Sequence, residues 1–163
     1  MHVTINDETT TYKTKSMKKI FTVIMLVLFG LTFKTVAQTD GDKAKVVQVC
    51  LDLDDIQNLY PKDENGNSVA VHIMQYPIVL PWNIAVSKFG KSPVFMNREE
   101  IYDNLIDTYF LFQKLDTSEA RAVVQFSLYY DQKSSEKKLM VVVLDLDKLN
   151  NNWIVVKKDI KKY

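Results

Sequence analysis

The sequence predicts an α+β domain in which a curved antiparallel sheet packs on an N-terminal and a central helix. Three observations carry this expectation. Between Ala120 and Ile160, strand-like apolar runs alternate with polar turns. Upstream, Asp42–Tyr60 and the segment after Asn97 place apolar residues at helical spacing. The composition is that of an ordinary folded chain, with 47% hydrophobic and 25% charged residues in a length of 163, which suits one domain.

The chain opens with a segment that does not belong to that domain. Residues Met1 to Ser16 are polar and lack periodicity. Met17-Lys18-Lys19 then precedes the apolar run Ile20 to Phe33, and Lys34 to Gln38 offers small residues for cleavage. Basic, apolar, cleavable is the layout of a secretory signal, and an apolar stretch this short spans a bilayer poorly as a helix. The expectation is therefore an over-long extension at 1–16, a signal peptide at Met17–Ala37, and a single exported domain, periplasmic or secreted, at 39–163. The alternative is an uncleaved anchor with a short cytoplasmic tail. The membrane enters only through this segment.

Asp42 to Tyr60 reads as the first helix, with Val46, Val49, Cys50, Leu53, Ile56 and Tyr60 on one stripe and Asp40 or Asp42 as its cap. Asp52, Asp54 and Asp55 interleave with the stripe and read as its solvated side. Cys50, the only cysteine, falls on the buried stripe and reads as a small core residue; alone it excludes an internal disulfide and a Cys-rich zinc site. Pro61 to Ser68 is a loop. Its Asp63, Asn65 and Asn67 have the alternation of a calcium loop, but Met74 stands where the bidentate Glu should be, so no metal is expected.

Val69 to Leu80 is extended, and Pro77 and Pro81 place it at an edge or a bend. His72, the one histidine outside the N-terminal segment, reads as a partly exposed strand residue. Trp82 to Phe95 reads as an irregular hairpin turning at Lys88-Phe89-Gly90-Lys91. Asn97 with Glu100 forms a capping box for the second helix, whose stripe runs through Ile101, Tyr102, Leu105, Ile106, Tyr109, Phe110 and Phe112 to a stop at Asp116-Thr117-Ser118.

Three strands follow. Along the first, Ala122, Val124, Phe126, Leu128 and Tyr130 should face the helices, leaving Arg121, Val123, Gln125, Ser127 and Tyr129 outward. Leu139 to Leu144 is apolar enough for a central strand. Asn150 to Asn152 turns the chain into Trp153–Val156. Lys157 to Lys162 leaves as a charged tail that guards an edge.

The segments Asn97–Leu105, Ala120–Leu128 and Lys148–Ile160, the last with its Lys…Asn-Asn-Trp-Ile-Val…Asp-Ile pattern, resemble the nuclear-transport-factor-two-like superfamily across the exported part of the chain. The resemblance implies a cystatin-like cone, a bent sheet wrapped on helices. This chain shows one clear N-terminal helix where the family has more. Enzymatic members place Asp, His and Tyr side chains inside the cone. Here His72, Tyr76, Tyr102, Asp103, Tyr129 and Asp145 are of the right type, but no motif links two of them, so no catalytic residue is assigned.

Function is narrowed mainly by exclusion. A net charge of +1 and only two arginines, Arg98 and Arg121, give no footprint for nucleic acid. Four scattered glycines cannot build a phosphate loop, and no Gly-x-Ser-x-Gly elbow is present. No cofactor is implied. The first expectation is a non-catalytic binding module holding a small apolar ligand or peptide in a concavity lined by Trp82, Phe89, Tyr102 and Tyr129. The second is an envelope interaction module that uses the open sheet face, including to form a homodimer. The third is an acid–base isomerase or dehydratase-like enzyme.

Overall fold

In the computed structural model, which describes residues 40–163, a helix at 40–51 (α1) leads into a 3-10 turn at Asp54–Leu59. A six-stranded sheet follows: β1 His72–Met74, β2 Val94–Met96, β3 Tyr109–Thr117, β4 Arg121–Tyr130, β5 Lys138–Leu149 and β6 Asn152–Lys162, with a short helix α2, Arg98–Asp103, between β2 and β3. The strand order is β2-β1-β3-β4-β5-β6. β3 to β6 are antiparallel neighbours, whereas β1 runs parallel to both β2 and β3. The α+β expectation holds, and the sheet is mixed rather than antiparallel. The expected signal segment lies outside the described residues. Among those residues no helix is long and apolar enough to cross a membrane.

The core forms because period-2 alternation in the strands meets the helical stripe of α1. Phe110 and Phe112 of β3, Phe126 and Leu128 of β4, and Met140, Val142 and Leu144 of β5 all point to the α1 face and are almost fully buried. Val46, Val47, Cys50 and Leu51 of α1 and Ile56 of the 3-10 turn meet them there. The rings of Phe110, Phe112 and Phe126 lie 5.6–6.5 Å apart, and Tyr60 stacks on Phe110 at 6.0 Å. The expected inward set of β4 is confirmed.

A partly enclosed ion pair fastens α1 to the β5–β6 hairpin. Lys148 Nζ donates to both carboxylate oxygens of Asp42 at 2.7 Å, and Trp153 Nε1 donates to Asp42 at 3.4 Å. The hairpin itself turns on Asn150 and Asn151, both at positive φ, which asparagine tolerates better than most residues. Asp42 is thus not the cap expected for the helix; it lies inside α1 and is held by the sheet.

Four elements differ from the sequence expectation. The first helix stops at 51, because Leu53 is extended (ψ 131) and the chain re-enters as a 3-10 turn; this turn returns Ile56 to the same core, so the stripe survives the break. The loop at Lys88–Lys91 does turn, through Phe89 and Gly90 at positive φ, but β2 beyond it joins β1 in parallel rather than as a hairpin. The second helix is only six residues long. Its Asn97–Glu100 capping box is present, yet Asn104 caps its end and residues 109–117 form a strand. Finally, Lys157 to Lys162 is no tail: it pairs residue by residue with β5 as the sheet edge.

Candidate functional site

The two faces of the sheet are covered differently. α1 covers one. On the other, α2 covers only the β1–β3 end, where Ile101 packs with Met74 and Tyr109, joined by Met96, Ile106, Leu111 and Tyr129. The capping box fixes the entry of α2: Glu100 N donates to Asn97 Oδ1 at 2.9 Å and Asn97 N to Glu100 Oε2 at 2.7 Å. The chain leaves α2 through Leu105, which has a positive φ of 46° and is 69% exposed. A leucine in left-handed backbone is uncommon.

Between α2 and the β4–β5 loop lies a cleft of about 440 Å³, lined by Ile101, Tyr102, Leu105, Ile106 and Tyr109 on one side and Gln132, Lys133 and Lys137 on the other. Two other hollows among the described residues measure about 260 and 210 Å³. Its floor is Tyr109, stacked on Tyr129 at 4.8 Å with nearly parallel rings. Burial, reinforced by the neighbouring Tyr102 and Tyr129 hydroxyls, pushes the Tyr109 phenol up to about 12, so it remains a neutral donor across the physiological range. The Arg98 guanidinium lies 5.6 Å over the Tyr102 ring.

The loop wall is braced. Gln132 Nε2 donates to the Tyr130 and Lys138 carbonyls at 3.0 and 2.9 Å, and Lys133 N donates to Asp107 Oδ1 at 2.8 Å. Ser134 Oγ lies within hydrogen-bond distance of both the Asp131 and Glu136 carbonyls and donates its one proton between them, and Lys138 pairs with Asp131 at 2.7 Å.

The four aromatic residues expected to line one concavity are dispersed. Trp82 is 85% exposed in the loop before β2. Phe89 packs edge-on against Tyr60, ring centroids 5.2 Å apart, on the α1 side. Tyr102 lines the cleft, and Tyr129 reaches it through Tyr109. The face covered by α1, where a cone would open, is filled by the phenylalanine cluster. Tyr109, central to the cleft, was hidden from sequence reasoning inside an expected helix. The signal that marks it as a strand residue is the continuous aromatic-rich apolar run Tyr109-Phe110-Leu111-Phe112.

The other polar candidates do not converge either. His72 is half-buried in β1, and burial lowers its pKa. Asp145 sits opposite Lys157 on the outward sheet face. Tyr76, bonded to Pro77 in cis, and Asp103 are exposed. Asp63 accepts from the backbone of Asn65 and Asn67 at 2.9 and 2.8 Å, so those bonds close its own loop. Cys50 is fully buried, and burial pushes its thiol pKa up, away from nucleophilic use.

Fold and cleft together define an α+β protein with an open mixed sheet and a half-covered outer face. Comparison with protein-family models, with curated proteins and with solved structures returned no match.

Proposed function

We propose that this protein is an exported, non-catalytic binding module, a variant of the nuclear-transport-factor-two-like plan, that holds a small ligand with an apolar body in the α2 cleft. The observation that carries the reading is Leu105: an exposed leucine at positive φ forms the lip of an apolar cleft. Strained or sparsely populated backbone persists where surrounding structure holds it, and such positions gather at binding sites. The cleft's size falls within the usual range of small-molecule sites, and an apolar wall on the α2 side faces polar donors on the loop side. The test is native mass spectrometry of the protein as released by an expressing cell. A retained small molecule that is lost in Tyr102→Ala/Leu105→Gly supports the reading; a molecule retained equally by that variant refutes this location.

A second reading, an interaction module that pairs with its own copy, is favoured by one specific pattern. The uncovered outer face carries half-buried Val123, Leu139, Val141 and Val143, with Gln113 bonded across to Ser127 at 2.5 Å. In the ladder, Lys114, Gln125, Val143 and Asp159 form one row, and Asp116, Val123, Asp145 and Lys157 the next. β3 thus carries plus then minus where β6 carries minus then plus. A two-fold axis parallel to the strands, between β4 and β5, would set Lys114 on Asp159 and Asp116 on Lys157 of the second copy. Four strands about 4.8 Å apart and about seven residues long give roughly 450 Å², well below the roughly 800 Å² per partner of a standard interface, so the dimer would be weak. Sedimentation would show Lys114→Asp breaking the dimer and Lys114→Asp/Asp159→Lys restoring it. A monomer at all concentrations, or indifference to the charge swap, removes this reading.

A further inference from the structure

Resting on the cleft reading, we infer that the cleft selects a single-chain amphiphile with an acidic head. The argument is one of charge placed above an apolar trough. On the α2 side the lining is Ile101, Leu105 and Ile106, with the Tyr102 and Tyr109 rings. On the loop side it is Gln132, Lys133 and Lys137, and no carboxylate lines the cleft. Of the acids beside it, Asp131 holds Lys138, Asp107 accepts from the Lys133 backbone N–H and, at 3.5 Å, from the Thr108 hydroxyl, and the exposed Asp103 and Glu136 lie outside the lining. Among the described residues the ammonium groups of Lys133 and Lys137 make no ion pair, a state they share with seven other lysines but not with Lys88, Lys114, Lys138, Lys148 and Lys158.

The loop that carries the two lysines is fixed by its own hydrogen bonds, so their Cα positions stay on the rim while the flexible stems reach over it. An alkyl chain would lie along Tyr102, Leu105 and Ile106, removing their exposed surface from water. Its carboxylate or sulfate would meet the two ammonium groups at the solvent edge. A cationic head would face two like charges, and a neutral head would forgo the pairing. By contrast, the hollow at Asp52, Asp54 and Asp55 carries its own counter-charges, Lys88 and Lys158.

The experiment is calorimetric titration of the chain as released by the expressing cell, with monomeric decanoate, decanol and decyltrimethylammonium. Decanoate is expected to bind one to one and roughly tenfold tighter than decanol, about what two exposed charge pairs contribute. Added salt should erode the difference. Lys133→Gln/Lys137→Gln should remove it, bringing decanoate to the affinity of decanol for the same variant, with the circular dichroism spectrum unchanged. Equal binding of all three probes would overturn the acidic-head inference and leave the cleft reading standing. Binding of none would overturn both. Binding only to anionic phospholipid vesicles, with no uptake of monomeric decanoate, would overturn the inference in favour of a membrane surface.

Discussion

Lys148→Met is the sharpest perturbation of the fold. Lys148 and Asp42 are about 90% buried as side chains, and the lysine satisfies both carboxylate oxygens at once. Removing the cation leaves Asp42 enclosed between α1 and the β5–β6 hairpin, with Trp153 Nε1 at 3.4 Å as its remaining side-chain donor. Breaking a buried pair from one side destabilises by about 3–5 kcal/mol. With about 124 described residues at roughly 2.1 cal/mol/K each, a loss near 4 kcal/mol lowers Tm by roughly 15 °C. The assay is urea unfolding followed by tryptophan emission. Trp82 is already exposed, so the change reports Trp153, which is 6% exposed. Asp42→Asn/Lys148→Met should recover most of the loss, because no charge is then stranded. A single variant within about 1 kcal/mol of the parent would refute the pair as the fastening of α1.

Three further outcomes follow from the same geometry. Asn97→Ala removes the capping box of α2 and should destabilise by about 1 kcal/mol, read as a shift in urea midpoint at unchanged slope. His72 has its pKa lowered by burial, so in the window just below its ordinary value of 6.5 the unfolded chain binds more protons than the folded one. Stability contributed by neutral His72 is therefore full above that range and declines as pH falls through it; His72→Gln should flatten that part of the stability–pH curve. Cys50, fully buried with its thiol pKa raised, should resist a thiol reagent in the native protein and react as one equivalent in denaturant.

The sheet was legible where burial was one-sided. From Ala122 to Tyr130 every second residue is buried, with Ser127 the one outward residue buried as well, and only one register puts the larger apolar set inside. The capping box at Asn97 was legible because it is a local hydrogen-bond pattern. The end of α2 was not. Ile101, Leu105 and Phe112 fit a helical stripe, and nothing in the sequence marks Leu105 for left-handed backbone, since that role usually falls to glycine or asparagine. Reading through it hid β3, and with β3 the floor of the cleft. β6 was shortened for a different reason. An edge strand pairs through its backbone on one side only, so Lys157, Lys161 and Lys162 can stand in solvent while their amides stay in the ladder. β1 and β2 pair in parallel over only three residues each, too few for any periodicity to register. Of the four expected site aromatics, Tyr102 lines the cleft and Tyr129 backs its floor. Phe89 and Trp82 are placed elsewhere by loop geometry that composition cannot specify.

The measurement that bears most directly on the central claim is an amide NMR titration of the protein with decanoate. The account predicts shifts confined to residues 98–109 and 131–138, the two walls of the cleft, and little change at Val46, Cys50 or Ile56 beneath α1. Shifts centred on the α1 face, or spread evenly over the chain, would contradict it.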